Sequence, residues 1–300
     1  MGRSRHAAAA PGHLDELGYR DRVPLRHGVY LPPFNELSDP HVLIALAELS
    51  EQRSWDGFFL WDHVLRRPEE APTVADAWIS LAGVACATER LRLGAMVTPL
   101  VRRRPQVFVR QAVTLDHLSS GRLVLGLGLG VDSTGELSRF GELVDPVLRG
   151  DLFDEGAELV VQLMSGQEVM HRGRYFTSDG VRFLPRPVQK PRVPVWCAAV
   201  GRVGRTDGRA GPSARPVRRA AKYDGLFLIE AGPKELERSM AIVSAERGGA
   251  VNGFDVAVLA EPTLPLEEAA ALGATWRMLS VDPGMPLAEV RARIADGPPV

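Results

Sequence analysis

The sequence has two cysteines in 300 residues, Cys86 and Cys197. Two thiols cannot build a disulfide framework, so the chain is expected to rely on its core and to work in a reducing, cytoplasmic compartment. Cys86 falls in a helical stretch and Cys197 in a strand, and both read as buried small hydrophobes. Lysine is nearly as scarce. Of 36 basic residues only Lys190, Lys222 and Lys234 are lysine, an arginine bias that a GC-rich genome accounts for. Excess charge is absent too: the net charge is -1, which argues against a nucleic-acid partner. No apolar run reaches the roughly 18 residues of a membrane span. The start, Met1 to Pro11, is basic but has only a short alanine run, so it is not read as a secretory signal. Residues 1–24 are expected to form a loosely ordered tail.

Several catalytic patterns are missing. The seven histidines show no zinc spacing such as H-E-x-x-H. There is no G-x-S-x-G elbow and no Walker A pattern.

What is present is a rhythm. A short apolar run is followed by a segment of helical period, eight times over. The runs are 27–31, 57–60, 91–97, 123–127, 193–197, 225–229, 254–259 and 275–281. The helical segments begin near Asp39-Pro40, then cover 74–87, 105–118, 151–164, 215–223, 234–246, 266–272 and 286–294. Between 166 and 192 the rhythm breaks into glycines, prolines and short β-like pieces, which read as an inserted hairpin. Alternation of this kind predicts a parallel sheet. The count of eight, with no linker between halves, favours a (β/α)8 TIM barrel over 25–300 with a hairpin insertion after the fourth unit. A barrel would bind at the carboxyl ends of its strands.

Gly126-Leu-Gly128-Leu-Gly130 follows a strand but lacks the third glycine of a dinucleotide turn. It reads as a place where backbone must approach something closely, whether a ligand or a neighbouring strand. Leu60-Trp61-Asp62-His63 ends the second run, and His63 could move a proton near neutral pH or serve only as a structural hydrogen-bonding group. In a regular strand Asp62 would face the opposite side. Gly94 to Pro99 suggests a bulge. Gly201 to Arg215 could offer N–H groups and a helix start to a phosphate, or be a surface loop.

Taken in order, Trp55-Asp-Gly-Phe-Phe-Leu-Trp-Asp-His63, Arg92-Leu-Gly-Ala-Met-Val-Thr98, Leu115 to Gly130, Phe153-Asp-Glu155, Gly173-Arg-Tyr-Phe176 and Pro187 to Trp196 resemble the bacterial luciferase-like monooxygenases and their relatives that use the deazaflavin coenzyme F420. The resemblance runs from about Arg26 to Val281. It implies a flavin or deazaflavin ring at the strand ends, resting on a third-strand bulge whose non-proline cis peptide would join Met96 to Val97, with Thr98 just beyond. Gly128 and Gly130 would admit the cofactor beside Trp61. Ala199, Gly201, Ser213 and Arg215 would hold its phosphate. His63 occupies the place of an active-site histidine found in some deazaflavin-dependent members. The related sugar-phosphate dehydrogenases carry a Thr-Gly-Glu after the fourth strand; here that stretch is Leu129-Gly130-Val131.

The function expected is oxidation of a small organic substrate with reduced FMN and dioxygen, a separate reductase supplying the flavin. Hydride transfer with coenzyme F420 is the alternative, and a non-catalytic flavin-binding barrel the alternative of another class. The resemblance also implies a homodimer through the helices after strands two and three. Trp78, Ile79 and Val109 are candidates for its exposed apolar surface, or equally for the core.

Overall fold

Alternate residues of the strands face two different apolar layers, and this decides the architecture. The structure, a computed structural model, describes residues 24–66, 69–201 and 214–299. Along β1 (Arg26–Leu31), Val29 and Leu31 join the layer under the helices while Tyr30 points into the barrel; along β2 (Gly57–Leu60), Phe58 and Leu60 lie outside and Phe59 inside. Strands buried on both faces need continuous apolar runs, which is how they read in the sequence.

The third barrel strand is split into β3 (Arg92–Ala95) and β4 (Thr98–Pro99). After β5 (Leu125–Gly128) the chain leaves the barrel for an antiparallel hairpin, β6 (Glu168–Arg172) and β7 (Thr177–Arg182). It returns as β8 (Val195–Val200), β9 (Gly225–Ile229), β10 (Asp255–Leu259) and β11 (Trp276–Ser280). The parallel sheet runs in the order β3-β2-β1-β11-β10-β9-β8-β5-β4. A parallel bridge from Leu93 to Leu123 brings its two ends together. The interior is filled by large side chains, Phe59, Trp196 and Trp276 lying with ring centroids 5.6–6.0 Å apart.

The helices are α1 (Pro40–Gln52), α2 (Ala77–Ala87), α3 (Pro105–Leu118), α4 (Pro146–Met164), α5 (Ala214–Ala221), α6 (Pro233–Glu246), α7 (Leu266–Ala271) and α8 (Leu287–Ala295). Their starts follow capping chemistry. Asp39, Asp76 and Asp145 each accept from an N–H of the first turn, and Pro40 and Pro146 take the first helical position. Asp145 explains why α4 begins at Pro146, earlier than the expected 151. Asp76 moves the start of α2 to Ala77, later than the expected 74.

Some expectations need correction. The three apolar candidates, left open between interface and core, divide: Trp78 and Val109 are core, wedged between helices and sheet, and Ile79 is exposed, at 71%. Cys197 is buried as expected, but Cys86 is exposed, since α2 turns it to the side away from the sheet. The expected tail lies outside the described residues except for Pro24. No described helix is long and apolar enough to cross a membrane, and no group of three or more His, Cys, Asp and Glu among the described residues could hold a metal ion.

Candidate active site

The break between β3 and β4 shapes one wall of the barrel mouth. The Met96–Val97 peptide is cis, as the resemblance implied. This irregular backbone presses on β5, and glycines make room for it. A Cβ on Gly94 would lie 2.2 Å from the carbonyl oxygen of Val124. One on Gly126 would lie 2.4 Å from the Ala95 oxygen and from the Met96 sulfur, and one on Gly128 would lie 2.5 Å from a methyl of Val97. The glycine run is thus first a packing device. Gly128 and Gly130 also border open space.

That space is a cavity of about 340 Å³ at the carboxyl ends of the strands. Met96, Val97, Gly128, Gly130 and Ala199 line it, and so does His63. The structure therefore brings together most of the ring-binding candidates and the histidine.

His63 does not stand alone. Its Nδ1 lies 2.8 Å from Oε2 of Glu136, a carboxylate 2% exposed. The other oxygen of Glu136 accepts the backbone N–H groups of Val64 at 2.7 Å and Leu65 at 3.0 Å, with Arg102 at 3.4 Å. Burial pushes the Glu136 carboxyl pKa up, but the hydrogen bond and charge of His63 and the two N–H groups outweigh it, and the net shift is down. An ionised carboxylate can only accept, so Nδ1 carries the imidazole proton and Nε2 is the basic nitrogen of the neutral ring.

Asp62 departs from the expectation of opposite faces. β2 ends at Leu60, so regular alternation stops short of it, and Asp62 borders the same cavity as His63. Its carboxylate is drawn to Arg103 at 2.8 Å and Arg102 at 3.7 Å.

Other candidates lie beside the cavity rather than on it. The Trp61 ring packs against Tyr30 at 5.5 Å and His63 at 5.9 Å. Thr98 is fully buried behind the bulge, its hydroxyl accepting from the indole N–H of Trp78 at 2.9 Å. Gly201 continues β8, donating to the Ile229 oxygen at 2.7 Å. Arg215 turns to Asp151 at 2.6 Å and Asp154 at 3.6 Å on α4 and is half exposed. Ser213 lies outside the described residues. Arg219, one turn further along α5, does line the cavity and is 6% exposed, but it is ion-paired with Asp154.

Three polar lining residues were not singled out from the sequence: Tyr30, Glu136 and Arg219. For Glu136 a signal existed. Thr134-Gly135-Glu136 stands a few positions past the stretch where an acid was sought.

The luciferase-like monooxygenase family model matches residues 24–285. An F420-dependent glucose-6-phosphate dehydrogenase of Rhodococcus erythropolis is 30% identical over 226 residues, covering 73% of this chain and 61% of the relative. The chain spans about half the length of the curated relatives it matches, 44% in one case and 52% in another. Among solved structures, a coenzyme F420-dependent tetrahydromethanopterin reductase from Methanopyrus kandleri superposes with a TM-score of 0.71 at 16% identity, over 91% of this chain and 97% of that one. A monooxygenase from Streptomyces bottropensis gives 0.70 at 20%, over 90% and 96%. At those identities both speak for the barrel fold alone. The family match, which runs from before β1 to beyond β11, makes this chain a member of the luciferase-like monooxygenase family of oxidoreductases.

Proposed function

We propose that this chain is a deazaflavin-dependent oxidoreductase that transfers hydride between coenzyme F420 and a small substrate. The observation that carries the reading is the His63–Glu136 pair on the cavity wall, since a carboxylate-backed imidazole is suited to moving one proton while a hydride moves elsewhere. Curated F420-dependent relatives support it.

The residues present fit a flat tricyclic ring. Met96 and Val97 would carry one face of it, and Gly128 and Gly130, bare of side chains, would let its edge approach backbone. The phosphate end would run toward β8 and α5, where Ala199 and Arg219 line the cavity and Gly201, Ser213 and Arg215 follow in the chain. When bound, the deazaflavin supplies a two-electron hydride donor or acceptor. His63 Nε2 takes the substrate's proton in one direction and returns it in the other. Glu136 keeps Nδ1 protonated and the ring in one orientation, and the apolar walls keep water away.

Reduced FMN with dioxygen, fed by a separate reductase, is the second reading. A glycine-edged apolar wall would carry a flavin ring equally well, because the two rings share their outline. In either case we assign a homodimer in the cytoplasm.

Fluorescence titration with F420 and with FMN tests the choice. Saturable quenching by F420, with FMN at least about tenfold weaker, is expected. The reverse order establishes the second reading, and saturable binding of neither leaves a non-catalytic barrel.

A further inference from the structure

Tyr30 stands near the carboxyl end of β1, pointing into the barrel, and its side chain forms part of the cavity lining. It is 6% exposed, and its hydroxyl, which makes no hydrogen bond to another described residue, is not sealed off but opens onto the cavity. Its ring is held by Trp61 at 5.5 Å and, edge-on, by Phe227 at 5.4 Å, so the hydroxyl cannot swing away to find one. A phenol hydroxyl that opens onto a cavity is free to donate to whatever occupies it. Burial pushes the Tyr30 phenol far above its usual pKa, which makes it a permanent neutral donor.

The surroundings limit what that donor can hold. Met96, Val97, Ala198 and Ile229 give the same cavity apolar walls. Arg219 is the one Lys or Arg among its described lining residues, and Asp154 neutralises it. Beside Tyr30 and His63, then, no described lining residue offers an unpaired cation to a substrate carboxylate. Tyr30 on β1 and His63, three residues past the end of the neighbouring β2, line the same cavity.

We propose that Tyr30 is a specificity-determining residue, its hydroxyl donating to the oxygen of an uncharged alcohol or carbonyl substrate whose proton is handled by His63. The proposal rests on the hydride-transfer reading above.

The test uses the full chain labelled with 3-fluorotyrosine, the Tyr30 resonance being identified by its loss in Tyr30→Phe. Quenching by the cofactor is measured first. If neither F420 nor FMN binds, the reading beneath the proposal falls, before any substrate probe is added. With cofactor loaded, cyclohexanone and its apolar isostere methylenecyclohexane are compared. The Tyr30 signal is expected to move saturably with the ketone and not with the hydrocarbon. Tyr30→Phe should weaken the ketone about 5- to 20-fold and leave the hydrocarbon and cofactor quenching unchanged. A signal that moves with cofactor alone and not with ketone, or equal ketone binding by both proteins, overturns the proposal.

Discussion

Glu136 holds His63 twice over, once by the imidazole and once through the peptide N–H groups of the two residues that follow it. One carboxylate thus fixes both the ring and the backbone that carries it.

Replacing Glu136 with Gln should separate these tasks. The amide oxygen can still accept from backbone, but it no longer enforces the Nδ1 proton as a charge does. Turnover is expected to fall about 10- to 100-fold, with a displaced acid limb in the pH profile and cofactor quenching within about twofold. Stability should respond as well. The Glu136 carboxyl lies below its ordinary value in the fold, so its contribution is present above the unfolded-state pKa and is lost as pH falls through the folded one. Urea melts from pH 7 downward should therefore show a shallower acid loss in the variant than in the parent.

His63→Gln keeps shape and some hydrogen bonding but removes titration. A loss of about 10² to 10⁴ in turnover is expected. Turnover within about threefold, with an unchanged pH profile, would remove His63 from the chemistry.

Gly126→Ala places a methyl 2.4 Å from the Ala95 carbonyl and the Met96 sulfur. The backbone oxygen cannot yield as a side chain would. A loss of about 1–3 kcal/mol in urea unfolding is expected, accompanied by weaker cofactor quenching because the proposed seat of the ring is built on that bulge.

Ile79 tests the assembly. It is the exposed member of the apolar trio on α2 and α3, and a charge there should leave the fold alone. Light scattering at micromolar concentration should give twice the 32.6 kDa chain mass for the parent and a shift toward monomer for Ile79→Asp. A monomeric parent would dispose of the homodimer.

The barrel was legible where parallel strands write themselves as unbroken apolar runs. Gly57–Leu60 and Gly225–Ile229 match the expected bounds at both ends. The third strand was less so, because its apolar run continues through Met96 and Val97 while the backbone does not. The cis bond there was legible from motif order alone. Glu136 escaped because it was sought beside β5 and returns to the site only after a turn and several intervening residues. Tyr30 escaped for another reason. Alternation says that it faces inward, but no pattern along one strand tells which inward residue meets a packed neighbour and which meets open space. Arg215 looked available for a phosphate because its partners, Asp151 and Asp154, are some sixty positions away in the chain.

Two acids from the barrel's helices fasten the inserted segment, one at the turn of the β6–β7 hairpin and one where the chain runs back toward β8. Glu155 on α4 accepts the N–H groups of Arg174, Tyr175 and Phe176, and a Cβ on Gly173 would fall 2.0 Å from its carboxylate. Asp116 on α3, fully buried, accepts the N–H groups of Val188 and Gln189 and the Gln189 side chain. Residues 166–192 are therefore no detachable module. Anyone transplanting this segment into a sister barrel would have to graft two distant carboxylates with it, or it would arrive without its fastenings.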